Sequence, residues 1–276
     1  MHDRIDSRQA ARFVADGLLR FDALVPDQLN RDVLAELRSE RLTACRYNDA
    51  RVGFDEYFAD SPAYLAVLRL PQVQAAIAGL VGPEPEIDHC AVHTVPAGSR
   101  HAQVWHADAT IDPRTEAFDI QIFYFPHDTP REAGGTLFLP SSHFRRVHEF
   151  SIGRYHNIVG QTPTVCPAGT IIIGHHGLWH CGQPNLTAST RYMVKLRLNP
   201  TVRQCGLFDR SDIDHPDVMS ALQSHHRWHG VEARLEILQR LRLWRSLTGT
   251  NADVDLWLTR LENEPTRSLS MAHAAG

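Results

Sequence analysis

The sequence predicts a mainly β fold: a double-stranded β-helix (jelly-roll, cupin-like) core over about residues 86–200, with N- and C-terminal helices packed outside it. Three observations carry this reading. Between Glu86 and Leu198 the chain breaks into short β-branched or aromatic runs separated by Pro and Gly, the rhythm of an antiparallel double-sheet jelly roll. On both sides of that stretch, about 7–82 and 209–264, apolar residues recur instead at helical spacing. A chain of 276 residues with 43% hydrophobic residues, 22% charged residues and no low-complexity tract can bury a full core.

Ser7 can cap a short helix through Ala15, which Gly17 ends. Leu18–Phe21 is a brief strand. Pro26 and Asp27 open a helix with Leu29, Val33 and Leu37 on one face. The stretch 41–60 is polar and mixed, and Arg46, Tyr47, Asn48 and Arg51 in it suggest a substrate-facing loop. Ser61-Pro62 starts a helix, and Pro71 splits the pattern into 62–69 and 71–80, closed by Gly82. The strands then fall at 86–95, 102–108, 118–125, 135–139, 163–166, 169–174 and 190–198, with a loop from Pro140 through His148. Pro216 sits in the first turn of a helix. Val231, Leu235, Leu238, Leu241, Trp244 and Leu247 mark a long amphipathic one, and a last helix runs to about Leu261. With no internal repeat and no linker, 1–276 reads as one domain.

The totals exclude several partners. A balance of 28 basic against 32 acidic residues, net −4, argues against a nucleic-acid partner held by phosphate charge. No apolar run approaches the ~18 residues of a membrane span, and the polar start Met1–Asp6 lacks the apolar core of a secretory signal. Five cysteines without CxxC spacing suit reduced thiols in a cytoplasmic protein.

The 17 histidines raise the prior for a metal site and equally the rate of accidental motifs. Two His-x-Asp triplets occur, His106-Ala107-Asp108 and His215-Pro216-Asp217. In a strand, residues i and i+2 share a face, so His106 and Asp108 can reach one ion. At a helix start, where the second triplet lies, i and i+2 diverge. A remote histidine would complete a 2-His-1-carboxylate set, which leaves open positions on iron(II). His175, His176 and His180 compete for that place. His176 and His180 have the spacing of a helical zinc pair, but Gly177 replaces the glutamate of HExxH and Ile171-Ile172-Ile173 favours a strand. His175 and His176 otherwise read as a turn or pocket wall, and His225, His226 and His229 as a solvated helix face. His180 is favoured by the residues on its C-terminal side. Arg191, eleven residues on at a strand start, presents a planar fork that matches a carboxylate.

The blocks Trp105–Asp108, Glu132–His143, Ala168–Ile173, His180–Asn185 and Arg191 together resemble the phytanoyl-CoA dioxygenase-like family of iron(II)/2-oxoglutarate oxygenases, in the right order across about 103–198. The resemblance implies iron ligands His106, Asp108 and His180, and Arg191 on the distal carboxylate of 2-oxoglutarate. It implies that Gln103 helps bind that co-substrate, with Thr136 and Tyr124 as weaker candidates for lining its pocket. Serine replaces the usual glycine in Pro140-Ser141-Ser142-His143, and Gly169-Thr170 stands where Gly-Asp is common. The implied cofactors are Fe(II), 2-oxoglutarate and O2. The implied reaction is oxidation, most simply hydroxylation, of a C–H bond in a small metabolite, with succinate and CO2 as co-products. Related halogenases resemble this pattern with a small residue at the Asp108 position, so Asp108 favours an oxygen-driven outcome. His93, Arg100, His101, Arg145, Arg146, His148 and Arg154 could form a polar substrate mouth or a solvated loop face. A bacterial tailoring role in secondary metabolism rests on the resemblance alone. A cupin-like metalloenzyme without 2-oxoglutarate and a non-catalytic jelly-roll binding protein are the other classes; the first has no need of Arg191, and the second keeps its function in Asp108→Ala.

Overall fold

Local chemistry fixes the first helix. Asp6 accepts from the Gln9 backbone N–H while the Gln9 side chain accepts from the Asp6 N–H, a reciprocal capping box, and Gly17 ends the helix at φ 77°. The cap is thus Asp6, one residue before the predicted Ser7. The computed structural model describes residues 4–250 apart from 43, 109–113, 115–116, 146–148 and 225–229. In chain order its elements are α1 (Ser7–Asp16), β1 (Leu18–Phe21), α2 (Asp27–Arg38), β2 (Cys45–Tyr47), α3 (Phe54–Tyr57), α4 (Pro62–Leu68), α5 (Pro71–Val81), β3 (Glu86–Val95) and β4 (Ile120–Phe125). After these come β5 (Thr136–Phe138), α6 (Glu149–Ile152), β6 (Thr162–Pro163), β7 (Thr170–His175), β8 (His180–Gly182), β9 (Arg191–Asn199), α7 (Pro216–Leu222) and α8 (Val231–Thr248).

The strands form two antiparallel sheets, ordered β1-β7-β4-β9-β3-β2 and β6-β5-β8. Period-two alternation gives the large sheet two apolar faces. Ile120, Ile122 and Tyr124 of β4, Ile171 and Ile173 of β7, and Val194, Leu196 and Leu198 of β9 join the helices in one core. Phe123, Phe125, Ile172 and Met193 point the other way, towards the small sheet, with Phe138. The core strands therefore read as continuous hydrophobic runs, because both faces are covered.

The helices are keyed to the sheet by specific groups. The buried Glu36 carboxylate accepts from the backbone N–H groups of Ala63 and Tyr64, closing the N-terminus of α4 where no side-chain cap exists locally. Among the described residues no single helix is long and apolar enough to cross a membrane. The bent pair α4–α5 is apolar enough, but Val67, Leu68, Val73, Ala76, Ile77 and Leu80 all lie in the core. At the other end, Arg240 of α8 is fully buried, pairs with Glu236, and donates to the carbonyls of Leu222, the last residue of α7, and Ser224 just after it. The same guanidinium reaches Ser141 Oγ, which ties the C-terminal helix to the loop beside β8.

The segment 102–108 departs from its predicted strand. Only His106 in it makes a ladder contact, an isolated bridge to His180, and Asp108 lies in a turn. β8, the partner of that bridge, was not expected as a strand; His180-Cys181-Gly182 is too short and too weakly β-forming to read as one. The predicted strand 163–166 shrinks to Thr162–Pro163 plus a bridge from Thr129 to Cys166. The predicted polar stretch 41–60 holds β2 and α3. Val231 and Leu235, read as part of the apolar face of α8, stay exposed. The helix expected to end near Leu261 lies outside the described residues.

His175 and His176, the rivals of His180, are packing residues. Their rings stack at 4.6 Å, and His175 sits 4.9 Å from His143 and 5.1 Å from Phe118. Burial first, then the neighbouring His176 and His143, hold His175 well below the usual histidine range, although part of the residue stays accessible. The folded state thus requires the neutral ring, while the unfolded chain protonates near pH ~6.5. Stability contributed this way is complete above that pH and falls as pH drops below it, by at most about 1.4 kcal/mol per pH unit for this one group. Denaturant unfolding followed from about pH 7.5 to 5 is expected to show this loss, and His175→Gln is expected to flatten it. Equal slopes for the two proteins would refute the assignment.

Candidate metal and co-substrate site

The backbone brings the two halves of the site together. His106 and His180 exchange backbone hydrogen bonds across their bridge, 3.1 Å and 2.9 Å, and Gln103 N–H donates to the Gly182 carbonyl at 2.9 Å. Each histidine uses Nδ1 on a carbonyl two residues earlier, His106 on Val104 at 2.8 Å and His180 on Leu178 at 2.9 Å. An Nδ1–H donated to a carbonyl fixes the tautomer and leaves the Nε2 lone pair for a ligand. Both Nε2 atoms face Asp108: His106 Nε2 lies 3.7 Å from Oδ1 and His180 Nε2 lies 3.7 Å from Oδ2. These separations are too long for hydrogen bonds. The three ligand atoms lie within 4.8 Å of one another and can hold a metal ion.

Electrostatics keep His180 and Asp108 in ligand form. Burial pushes His180 down to about 3, so its ring is neutral at ordinary pH. Burial alone would raise the Asp108 carboxyl, but His180, Lys195 and His106 outweigh it and hold the group far below the usual carboxylate range. Lys195 Nζ donates to Asp108 Oδ2 at 2.7 Å, and Gln121 Nε2 donates to the same oxygen. Two imidazoles and one carboxylate, with further positions open, is a donor set that fits iron(II).

Beside the triad lies a cavity of about 270 Å3, lined among others by His93, Gln103, Thr136, His180, Arg191 and Lys195. Arg191, 6% exposed, is the first residue of β9. Its Nη1 donates to the backbone carbonyls of Ala133 and Gln183, and among the described residues no carboxylate pairs with it. Burial lowers its pKa to about 10, which still leaves it charged at neutral pH. A buried arginine without a protein counter-ion, facing a cavity, fits an anionic ligand. Gly134 makes the close approach possible: it has φ +83°, and a Cβ there would lie 2.0 Å from the Pro184 carbonyl oxygen and 2.8 Å from Arg191 Nη1. His93 Nε2 is buried without a hydrogen-bond partner beside this cavity, a further polar atom for an occupant to satisfy.

The other predicted residues divide. Gln103 and Thr136 line the cavity, with Gln103 Oε1 accepting from Gly182 N–H at 2.9 Å. Tyr124 does not: alternation turns it into the core under the helices, where its hydroxyl donates to Asn30, while Phe123 takes the cavity side. His93 and His101 line the cavity, whereas Arg145 pairs with Glu232 and Glu236 of α8. Arg146, His148, His225, His226 and His229 lie outside the described residues. Arg46, Tyr47, Asn48 and Arg51 do not line the cavity beside the triad: Arg46 lies 4.4 Å over the Tyr57 ring and donates to its carbonyl, and Asn48 holds Val52. His215 caps α7 by accepting from Asp217 N–H, so the second triplet is a helix start. A larger cleft of about 790 Å3, lined by Glu40, Arg41, Arg46 and Tyr57, lies apart from the triad, and no metal-ligating cluster lines it among the described residues.

Two residues escaped the sequence reading, Gln121 and Lys195. Lys195 comes four residues after Arg191 in one strand, and so shares its face.

The sequence profile of the phytanoyl-CoA dioxygenase (PhyH) family matches residues 17–193. The chain belongs to this family of iron(II)- and 2-oxoglutarate-dependent oxygenases and is an enzyme of that class. Among solved structures it is similar to the non-heme alpha ketoglutarate dependent epimerase SnoN from nogalamycin biosynthesis, at 19% identity over 70% of this chain and 82% of that one, TM-score 0.54. It is similar to EctD from S. alaskensis, solved with 2-oxoglutarate and 5-hydroxyectoine, at 18% identity over 72% and 78% of the chains, TM-score 0.56. The non-heme monooxygenase ThoJ, as a Ni complex, matches at 19% identity over 86% of this chain and 99% of that one, TM-score 0.53. At such identities the likeness speaks for the fold. A search of curated proteins finds no match to the sequence.

Proposed function

We propose that this protein hydroxylates a C–H bond of a small-molecule metabolite, with iron(II) held by His106, Asp108 and His180 and 2-oxoglutarate clamped through its distal carboxylate by Arg191. The single observation that carries this reading is the buried Arg191, with no carboxylate partner among the described residues, lining the same cavity as His180 of the triad. Iron(II), 2-oxoglutarate and O2 together supply an oxidant able to take hydrogen from an unactivated carbon, releasing succinate and CO2. The chain's own residues bind and orient. Gln103 and Thr136 line the co-substrate chamber, Phe123 packs its edge on His180 at 5.5 Å, and the Nδ1 hydrogen bonds keep both imidazoles aimed. His93 and His101 place polar groups where a substrate would enter. The chain acts as one cytoplasmic domain in secondary metabolism, with neither a nucleic-acid nor a membrane partner. Among the solved structures of like fold, the epimerase SnoN comes from nogalamycin biosynthesis, which supports a natural-product substrate here.

The test is an anaerobic titration of the protein with iron(II) and 2-oxoglutarate. The expected result is a weak visible charge-transfer band, with succinate formed when oxygen is admitted. Folded, iron-loaded protein that shows neither would end this reading. Iron binding without any effect of 2-oxoglutarate would favour a cupin-like enzyme instead.

A further inference from the structure

The large sheet offers the triad a cation that the ligand set does not need. Lys195 lies on the inner face of β9, its side chain 9% exposed, and its ammonium meets Asp108 Oδ2 at 2.7 Å. Gln121, 1% exposed on the neighbouring β4, donates to the same oxygen. Both residues come from the rigid centre of the sheet, where β4 pairs with β7 and β9. No described residue donates a hydrogen bond to Oδ1, which is the oxygen nearer His106 Nε2. The carboxylate is thus divided: Oδ2 belongs to the sheet, and Oδ1 is left to a metal.

We propose that Lys195 is a positioning residue that holds Asp108 by Oδ2, presents Oδ1 as the ligand oxygen, and by its charge biases the site towards divalent over trivalent iron. This rests on the iron reading of the triad. A buried lysine elsewhere in a core costs several kcal/mol unless paired. Here the pair is formed with the one group that must also serve a cation. One carboxylate charge is shared between an ammonium and the metal, so the metal meets a less negative site. In a partly desolvated cavity a unit charge this close acts more strongly on a trivalent than on a divalent ion. The consequence is a resting site that keeps its iron reduced in air until a co-substrate binds.

The experiment compares wild type, Lys195→Met and Lys195→Arg as folded, iron-loaded proteins without 2-oxoglutarate. The ratio of iron(III) to iron(II) affinity is read as the midpoint potential in a mediated titration. Cobalt(II) binding to the apoproteins reports the ligand geometry through its visible spectrum. Lys195→Met is expected to raise the ratio by at least about tenfold, a fall of ~59 mV for a one-electron couple, while Lys195→Arg stays near wild type. The cobalt spectrum of Lys195→Met is expected to shift as the carboxylate gains freedom. Lys195→Gln repeats the comparison should methionine pack badly. An unchanged ratio in the neutral variants, or an equal change in Lys195→Arg, overturns the proposal while leaving the metal site intact. A wild type that binds no iron overturns the metal reading and this proposal with it.

Discussion

Arg191→Ala is expected to raise the dissociation constant of 2-oxoglutarate by about two orders of magnitude, roughly 2–4 kcal/mol, while iron(II) affinity is expected to stay within a few-fold of wild type. The size of the effect comes from burial. Arg191 is 6% exposed, and its only described partners are backbone carbonyls, so the distal carboxylate would be its one anionic partner. Removing one member of such a pair leaves the other charge in the cavity without its fork. Arg191→Lys keeps the charge but loses the bidentate geometry, and recovers part of the affinity. The measurement is a titration of the charge-transfer band at saturating iron(II). An Arg191→Ala constant within threefold of wild type would mean that the cavity holds its co-substrate by other groups, with His93 the first to test.

Asp108→Ala is the second large effect. Loss of iron binding should exceed the ~100-fold at the top of the range for outer partners of a ligand, and succinate formation should fall with it. Two causes add. The metal loses its single anionic donor, and Lys195, only 9% exposed, loses the carboxylate that neutralises it. An unpaired buried ammonium costs about 3–5 kcal/mol, so the variant should also unfold at lower denaturant. Asp108→Asn separates the causes, since the amide can still accept from Lys195 but carries no charge. It should fold better than the alanine variant and bind iron nearly as poorly. Retention of iron by Asp108→Ala, measured after dialysis, would remove Asp108 from the ligand set and favour a non-catalytic barrel.

The two effects differ in how far the sequence could foresee them. Arg191 announces itself by position, eleven residues past a histidine at the head of a strand. The link from Lys195 and Gln121 to Asp108 could not be read, because Lys195 stands 87 residues from Asp108 and nothing local aims Gln121, 13 residues away, at the turn that holds it. Gln121 is embedded in Ile120–Phe125, a run buried throughout, which hides the fact that one face lines a site and the other meets helices. Tyr124 was misplaced for the same reason. Alternation states which residues share a face, and only register and packing state where that face looks.

The sequence by itself determined the class of the protein: the order of the blocks from Trp105 to Arg191, the helical flanks, and the family profile over 17–193. It also separated the two His-x-Asp triplets, since a proline-led helix start reads differently from an extended segment. The tertiary structure decided what sits beside what. It put His106 against His180 across a single bridge, packed His175 and His176 among rings, and seated Lys195 on Asp108. The physical reason is that local propensity fixes periodicity and termini over a few residues. A site built from strand neighbours exists only once non-local pairing has closed the sheets.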